Sequence, residues 1–411
     1  MSAVASADAI GCPDCGTRQR LPKPAASSVV RCVACQGILE RTHGRSLSAA
    51  LACSAVTLIL LIPANLMLFL RTDALGVSRS SHLASAAGAI FRDGWPWLAA
   101  VVFLFVVIFP ILRFGLLTAV LGSLELGVAG SWTGPAFRWA NRLQTWAMPD
   151  VFLLGLAVAY ARLASSISVR AGAGAITFIA AGILALVVRA TLDKAAVWER
   201  IAPDREPADP RDAVECTDCD LLLPPDRMGH RCPRCANRVL RRKPQSISRT
   251  IALTLAALLL YIPANIYPLA TLPINYRPTT YTVLEGVTDL VQAGLWDLAI
   301  LVFSASFLIP FLKLVGLTWC VASVLRRSKR HLVAKTKAYR VVEEIGRWSM
   351  VDPFVIGAFV PVMNYNSLIY GRAEAASVPF TAVVVLTIIS AKTFDPRLMW
   401  DAARDKNRRS Y

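Results

Sequence analysis

The chain has 411 residues, of which 55% are hydrophobic and only 17% are charged, and its formal net charge is +17. An ordinary soluble protein of this length carries about 25% charged residues, so the composition excludes that class and favours a membrane protein. A basic excess is typical of nucleic-acid binding or of cytoplasmic membrane loops. The basic residues lie mostly in short segments between apolar runs, within 241–243, 326–337 and 406–409, which favours membrane loops over nucleic-acid binding.

Two cysteine clusters occur, one near the start of the chain and one in its middle. Cys12, Cys15, Cys32 and Cys35 form the first, and Cys216, Cys219, Cys232 and Cys235 form the second. Each Cys-x2-Cys turn points two thiolates at one ion and two turns complete a tetrahedron, so we predict one structural zinc ion in each of two ribbons, 1–45 and 201–245. Four sulfur ligands leave no open position, so we expect no catalysis at the metal.

Disulfide bonds, thioredoxin-like redox pairs and iron are the alternatives for these cysteines. The first residues lack the basic stretch and apolar stretch of a cleavable signal peptide, so we expect the N-terminus to stay in the cytoplasm. Structural disulfides are rare in that compartment, and neither cluster lies in a β-α-β pattern. Both considerations favour zinc.

Eight apolar runs approach the length of about 20 helical residues that crosses a bilayer. They lie at about 47–70, 95–124, 147–166, 173–192, 249–271, 295–325, 350–370 and 376–394. An even number of spans returns both termini to one side, and the charge bias of the loops predicts that this side is cytoplasmic. We expect four-span domains at 46–200 and 246–398, followed by a basic tail at 399–411.

The two halves of the chain form an internal repeat. Ile-Pro-Ala-Asn at 62–65 recurs at 262–265, an offset of 200, and the offset becomes 202 after the second span of each half. Such matches indicate duplication rather than chance, and an even number of spans per half makes the repeats parallel. The predicted fold is a polytopic α-helical membrane protein with about eight transmembrane helices in two parallel repeats of four, each preceded by a small cytoplasmic zinc ribbon.

Proline and asparagine occur at matched positions within the predicted spans. They are Pro63, Asn65 and Pro110 in the first half and Pro263, Asn265 and Pro310 in the second. Proline frees a backbone carbonyl and kinks a helix, and asparagine can bond such carbonyls or a neighbouring span. Kinks that serve packing and a cavity lined by broken helix, suited to an amphipathic ligand, are both open.

Polar side chains inside the spans are functional candidates because their burial is costly. In the second half they are Ser306, Lys313, Ser349, Asp352, Lys392 and Thr393, and the first half has Arg113 and Asp150 but Ala190 in place of the second lysine. Helix rise places Lys313 and Asp352 at similar depth, so we expect them to pair. Lys392 could join them or snorkel to the surface. A structural salt bridge and a protonatable network that changes state during work are both open.

The motifs Ile-Pro-Ala-Asn, Pro-x-x-Arg/Lys, Trp-x-Met-x-Asp and Thr-x-Asp follow each cysteine ribbon twice, from Cys12 to Trp400. This order resembles the paraquat-inducible protein A family, which includes the LetA-type proteins. The resemblance implies an inner-membrane protein of a double-membrane bacterium, and a partner whose MCE domains form a periplasmic tunnel. It implies a role in moving lipid between the two membranes and in envelope integrity. It also implies zinc at the cysteines and a polar network of Lys313, Asp352, Lys392 and Thr393.

No P-loop of the form GxxxxGK[ST] occurs in the sequence, so nothing in it supports ATP hydrolysis as the energy source. A proton gradient acting on Lys313 and Asp352 is a candidate drive. We predict a lipid-transport component that is not an enzyme. The alternatives are a membrane-anchored zinc-ribbon scaffold or regulator, and an oxidoreductase that uses the cysteine pairs. The two charged residues favour transport, because an anchor need not bear their desolvation cost.

Overall fold

The computed structural model describes residues 9–20, 29–41, 46–74, 77–163, 168–202, 213–274, 277–356 and 372–408. Most of these residues are helical, as the apolar runs predict. A small four-cysteine unit, ribbon 1 (residues 9–41) or ribbon 2 (residues 213–239), precedes each helical repeat. The predicted fold class is therefore confirmed, apart from the number of spans.

Ribbon 1 and the first repeat consist of short strands followed by helices that alternate with a few more strands. The elements are β1 (Ala9–Gly11), β2 (Arg18–Arg20), β3 (Val29–Arg31), β4 (Ile38–Arg41), α1 (Leu47–Leu66), β5 (Leu70–Ala74), β6 (Val77–Ser81), α2 (Leu83–Arg92), α3 (Pro96–Glu125), α4 (Thr133–Leu143), α5 (Pro149–Leu163), β7 (Ser168–Ala171), α6 (Ala173–Thr191) and α7 (Lys194–Ile201).

Ribbon 2 and the second repeat follow nearly the same order. The elements are β8 (Val214–Glu215), β9 (Leu222–Leu223), α8 (Ser246–Ile266), β10 (Ala270–Ile274), β11 (Arg277–Tyr281), α9 (Val283–Gln292), α10 (Trp296–Leu325), α11 (Leu332–Ile345), a 3-10 turn (Gly346–Met350), α12 (351–356 as far as described), β12 (Arg372–Ala373), α13 (Ser377–Thr393) and α14 (Arg397–Arg408).

A three-stranded antiparallel sheet, absent from the sequence-based expectations, caps one end of each repeat. The strand order is β6-β5-β7 in the first repeat and β11-β10-β12 in the second. Helices α1 and α8 run from the ribbons towards these sheets, so the sheets and the ribbons lie at opposite ends of the bundle. We call these ends the hairpin end and the ribbon end.

Within the described ranges, five helices are long and apolar enough to cross a membrane, namely α1, α3, α6, α8 and α10. The pair α13 and α14, bent by 47°, is a sixth candidate. Helix α5 has 15 residues, fewer than the predicted span 147–166, and most of the predicted span 350–370 lies outside the described residues. The chain is therefore a multi-pass membrane protein by helix length and composition, and the number eight stays a prediction.

The long helices α3 and α10 each contain a π-helical segment, Leu104–Ile108 and Ser304–Leu308, just before Pro110 and Pro310. Proline lacks an N–H and its ring clashes with the carbonyl four residues earlier, and the wider π turn makes room for the ring. The amide after each segment bonds five residues back. The sequence predicted a kink at these prolines. In the structure, each helix accommodates its proline with a π bulge.

The two repeats pack directly against each other through helices α5 and α12. The rings of the equivalent residues Phe152 and Phe354 lie 5.6 Å apart between centroids. A Cβ on Gly155 would come within 3.1 Å of the Phe354 Cβ, so glycine allows this close approach. The polar residues at the ribbon end of α5 therefore meet those of the second repeat.

Candidate metal centres and buried charge network

Each ribbon brings its four cysteine sulfurs together. The sulfurs lie within 4.8 Å of one another in each cluster, and all eight side chains are buried. The Cys12 and Cys35 sulfurs are 3.5 Å apart, and those of Cys216 and Cys235 are 3.6 Å apart. Zn–S bonds of about 2.3 Å in a tetrahedron place sulfurs about 3.8 Å apart, whereas a disulfide needs about 2 Å. Each cluster therefore fits one tetrahedral metal ion.

The residue after each Cys-x2-Cys pair has a left-handed backbone. The φ angles are 67° at Gly16, 62° at Gln36, 55° at Asp220 and 56° at Ala236. This turn lets the residue's amide donate to the carbonyl of the first cysteine of its pair, at 2.8 to 3.1 Å. A left-handed backbone costs a non-glycine residue about 1–2 kcal/mol. Three of the four turns bear this cost, so backbone preference alone does not explain their shape.

Buried acids and arginines surround the two centres. Glu215, next to a ribbon 2 cysteine, bonds the Arg397 guanidinium at 2.9 Å. Burial raises the pKa of Glu215 to about 7, although Arg397 acts in the opposite direction. Burial likewise raises the pKa of Asp14 in ribbon 1, and Arg340 opposes the shift. Each acid therefore has an arginine partner that offsets part of the cost of its burial.

Lys313 is a buried ammonium whose partners are neutral. Its side chain is 1% exposed, and Nζ donates to Gly346 O at 3.2 Å and to Ser349 Oγ at 3.0 Å. The structure thus brings together the predicted residues Lys313 and Ser349. The predicted pair with Asp352 does not occur among the ion pairs of the described residues.

Lys313 and Asp352 do not meet because they face different cavities. Lys313 lines a cavity at the ribbon end together with Lys392. Asp352 lines a small, mostly apolar cavity towards the hairpin end, beside Tyr281 and Val302. Similar depth along the helices was therefore insufficient to predict the pairing, because the two side chains point in different directions.

The other polar residues predicted in the second repeat are more dispersed. Lys392 is partly exposed and bonds Glu343 of α11 at 2.7 Å, and Thr393 donates to its own helix at Ser390 O. Ser306 lies in the π segment of α10, is 1% exposed, and its hydroxyl has no hydrogen-bond partner among the described residues.

Asp150 forms the main buried ion pair between the repeats. Arg347 Nη2 donates to Asp150 Oδ1 at 2.8 Å and to Oδ2 at 2.9 Å, and both side chains are less than 10% exposed. Arg189 lies 4.0 Å from the same carboxylate. Arg113, equivalent to Lys313, is 4% exposed, and its Nε has no hydrogen-bond partner in the described part of the chain.

The asparagines of the two Ile-Pro-Ala-Asn motifs bond their own helices. Asn65 Nδ2 donates to Leu61 O at 2.7 Å, and Asn265 Nδ2 donates to Tyr261 O at 2.8 Å. Pro63 and Pro263 lie inside continuous helices α1 and α8. The sequence left open whether the asparagines bond carbonyls of their own helix or a neighbouring span. The structure shows bonds to carbonyls of their own helix, close to the proline.

The family model of paraquat-inducible protein A matches residues 47–202 and 247–404, which together make up most of the chain. The chain belongs to the paraquat-inducible protein A family. The two matched segments are the two helical repeats, and both ribbons lie outside them. The predicted family and the internal duplication are therefore confirmed.

Individual relatives match nearly the whole length of the chain. Intermembrane transport protein PqiA of Escherichia coli K12 is 29% identical over 95% of both chains. Lipophilic envelope-spanning tunnel protein A of the same organism is 30% identical over 97% of this chain and 92% of its own. A probable intermembrane transport protein of Haemophilus influenzae is 23% identical over 95% of both. No solved structure matches this chain.

Arg347 is the member of the buried network that sequence reasoning missed. It lies just before the predicted span 350–370 and is not among the sequence-based candidates, yet it is buried on Asp150. A signal was available, because the equivalent position in the first repeat is Thr145. In this chain the unmatched charge at position 347 makes a contact between the repeats that Thr145 does not make.

Proposed function

We propose that this protein is the inner-membrane component of an MCE-type intermembrane lipid transport system. It passes phospholipid between the inner membrane and a periplasmic tunnel built by an MCE-domain partner, and thereby supports envelope integrity. The ribbon end and both termini face the cytoplasm. The names of two relatives, intermembrane transport protein and lipophilic envelope-spanning tunnel protein, support this function.

The observation that carries the proposal is the buried Lys313. An ammonium that is 1% exposed and has only neutral partners among the described residues is costly inside a membrane protein. A scaffold gains nothing from this cost, whereas a transporter can use a lysine that alternates between protonated and neutral forms. We propose that Lys313 and Ser349 at one cavity and Asp352 at the other act together with Ser306 as the working network of the second repeat, and that the proton gradient drives it.

We propose that the small cavity lined by Asp352 widens during transport to form the lipid site. Most of its lining is apolar, with Val158 and Ile356 among the side chains, and the carboxylate supplies one charged group. Ligand sites typically combine an apolar wall with a few polar groups. The cavity lies towards the hairpin end, where a periplasmic tunnel would receive the lipid under the proposed orientation.

We propose zinc as the ion of both cysteine clusters, because four buried thiolates at these distances suit its tetrahedral preference. The four thiolates of each ribbon hold the metal and leave no position for a substrate. Its role is then structural, and the protein is not an enzyme. Mass spectrometry of purified protein should find about two zinc ions per chain, and thiols that react without a chelator would support redox cysteines instead.

The test of transport is complementation of a strain whose envelope defect follows loss of the native gene. We expect Lys313→Met and Asp352→Asn to reduce complementation at least tenfold at normal protein level, whereas Lys337→Ala, on the exposed face of α11, leaves it intact. Lipid bound to the purified wild type should fall in Asp352→Asn. Full complementation by both network variants would contradict transport and favour the scaffold.

A further inference from the structure

Ribbon 1 contacts the amphipathic helix α11, which belongs to the second repeat. Arg340 of α11 donates from Nη2 to the Cys35 sulfur at 3.0 Å and from Nε to Asp14 Oδ2 at 2.6 Å. The guanidinium therefore bonds a metal-ligand sulfur and an acid between two ligands. A Cβ on Gly37 would clash with this guanidinium, so the ribbon backbone closes tightly over it.

Ribbon 2 contacts α4, the equivalent helix of the first repeat. Arg138 Nη1 donates to Cys235 O at 2.7 Å, and Arg142 Nη2 bonds Asp218 Oδ2 at 2.6 Å. A Cβ on Gly134 would overlap the carbonyl oxygen of Arg234, so the helix backbone touches the cysteine turn. Each ribbon thus packs on the repeat that it does not immediately precede in the chain.

The two contacts are equivalent by the internal repeat. Arg138 and Arg340 are related by the offset of 202, and each reaches the last cysteine of a ribbon. Asp14 and Asp218 occupy the same place between the first two cysteines, and each meets an arginine of the opposite repeat. Two copies that have diverged elsewhere in their charges retain this crossed arrangement.

We propose that each metal centre is completed by an arginine of the opposite repeat, so that the two ribbons act as metal-dependent clamps between the halves of the molecule. The proposal rests on metal occupancy and is independent of lipid transport. Four thiolates and one divalent ion leave a net negative charge, and a guanidinium bonded to a sulfur offsets it. Groups that bond metal ligands change metal affinity by about 10–100-fold.

Binding linkage makes the effect reciprocal. If docking on α11 strengthens metal binding by ribbon 1, then metal binding strengthens docking by the same factor. We expect stronger coupling between docking and metal binding in ribbon 1 than in ribbon 2. Arg340 bonds the cysteine sulfur itself, whereas Arg138 bonds a cysteine carbonyl oxygen. Ribbon 2 also touches its own repeat through Glu215 and Arg397, which should further reduce its dependence on the clamp.

The first test measures metal release from the full-length protein into an excess of chelator. In Arg340→Gln we expect one of the two ions to leave about tenfold faster than in the wild type. The matched control is Arg404→Gln, because Arg404 contacts the same ribbon at Thr17 and bonds no cysteine. Equal release rates in wild type and Arg340→Gln would overturn the proposal, as would an equal acceleration in the control.

The second test uses hydrogen–deuterium exchange and does not depend on the arginine variants. We expect Cys12→Ser, which disables ribbon 1, to raise exchange in α11 (Leu332–Ile345) at least fivefold, and Cys216→Ser to do so in α4 (Thr133–Leu143). Each variant serves as the folding control of the other, because its second ribbon stays intact. Increased exchange in the helix of the same repeat, or in neither helix, contradicts the crossed clamp.

Discussion

The two repeats share a backbone plan but use their buried charges differently. At the three equivalent positions of the network, the first repeat has Arg113, Thr145 and Asp150, and the second has Lys313, Arg347 and Asp352. Asp150 is bound by Arg347 across the repeat interface, whereas threonine at position 145 cannot form the symmetric ion pair with Asp352, which lines a cavity.

This difference shows how a duplicated membrane fold can divide its tasks. The acid of the first repeat accepts hydrogen bonds at both oxygens from Nη2 of Arg347, and this contact joins the two halves. The second repeat keeps a buried lysine with neutral partners and an acid at a cavity wall, which are groups that a transport cycle can use. The duplication is therefore a symmetric frame with one structural and one proposed working half.

The largest expected effect comes from breaking the pair between the repeats. Asp150→Asn leaves Arg347 buried beside Arg189 and Arg113 without its carboxylate. Removal of one partner of a buried ion pair costs about 3–5 kcal/mol. We expect a loss of this size in the free energy of unfolding, measured by denaturant titration in detergent.

The control for this variant is the double substitution Asp150→Asn with Arg347→Gln, which removes both charges. It should recover more than half of the lost stability, because no uncompensated Arg347 charge remains. A single variant within about 1 kcal/mol of the wild type would show that Asp150 does not hold the repeats together.

The sequence predicted the scaffold better than it predicted the side-chain partners. Cysteine spacing, repeated motifs and apolar length report on the local chain, and they correctly gave the ribbons, the duplication and the helical class. Pairing of Lys313 depends on the rotation of α10 and α12 about their axes, which composition does not encode. The π segment before Pro110 could have been anticipated, because a proline deep in a long helix demands a local adjustment.

The second expected effect is on activity rather than stability. Thr145→Arg supplies the arginine that the first repeat lacks, and by the internal symmetry its guanidinium should reach Asp352 of the second repeat. We expect transport to fall at least tenfold, because Asp352 would be held in a fixed ion pair. The thermal unfolding temperature should stay unchanged or rise slightly. The measurement is complementation alongside thermal unfolding, and Thr145→Ser, which adds no charge, should behave as wild type. Normal transport by a stable Thr145→Arg protein would show that Asp352 takes no part in transport.

The smallest expected effect compares the two cysteine turns of ribbon 1. Gly16 and Gln36 have nearly the same left-handed φ, 67° and 62°, but only the first is glycine. Gln36→Gly should stabilise the ribbon by about 1 kcal/mol by removing the strain of a Cβ, and Gly16→Ala should destabilise it by a similar amount. The measurement is the chelator concentration that removes half of the ribbon 1 metal. Gln36→Gly should raise this concentration about fivefold, and Gly16→Ala should lower it about fivefold. Shifts of the same sign would mean that side-chain contacts, rather than backbone conformation, decide the stability of these turns.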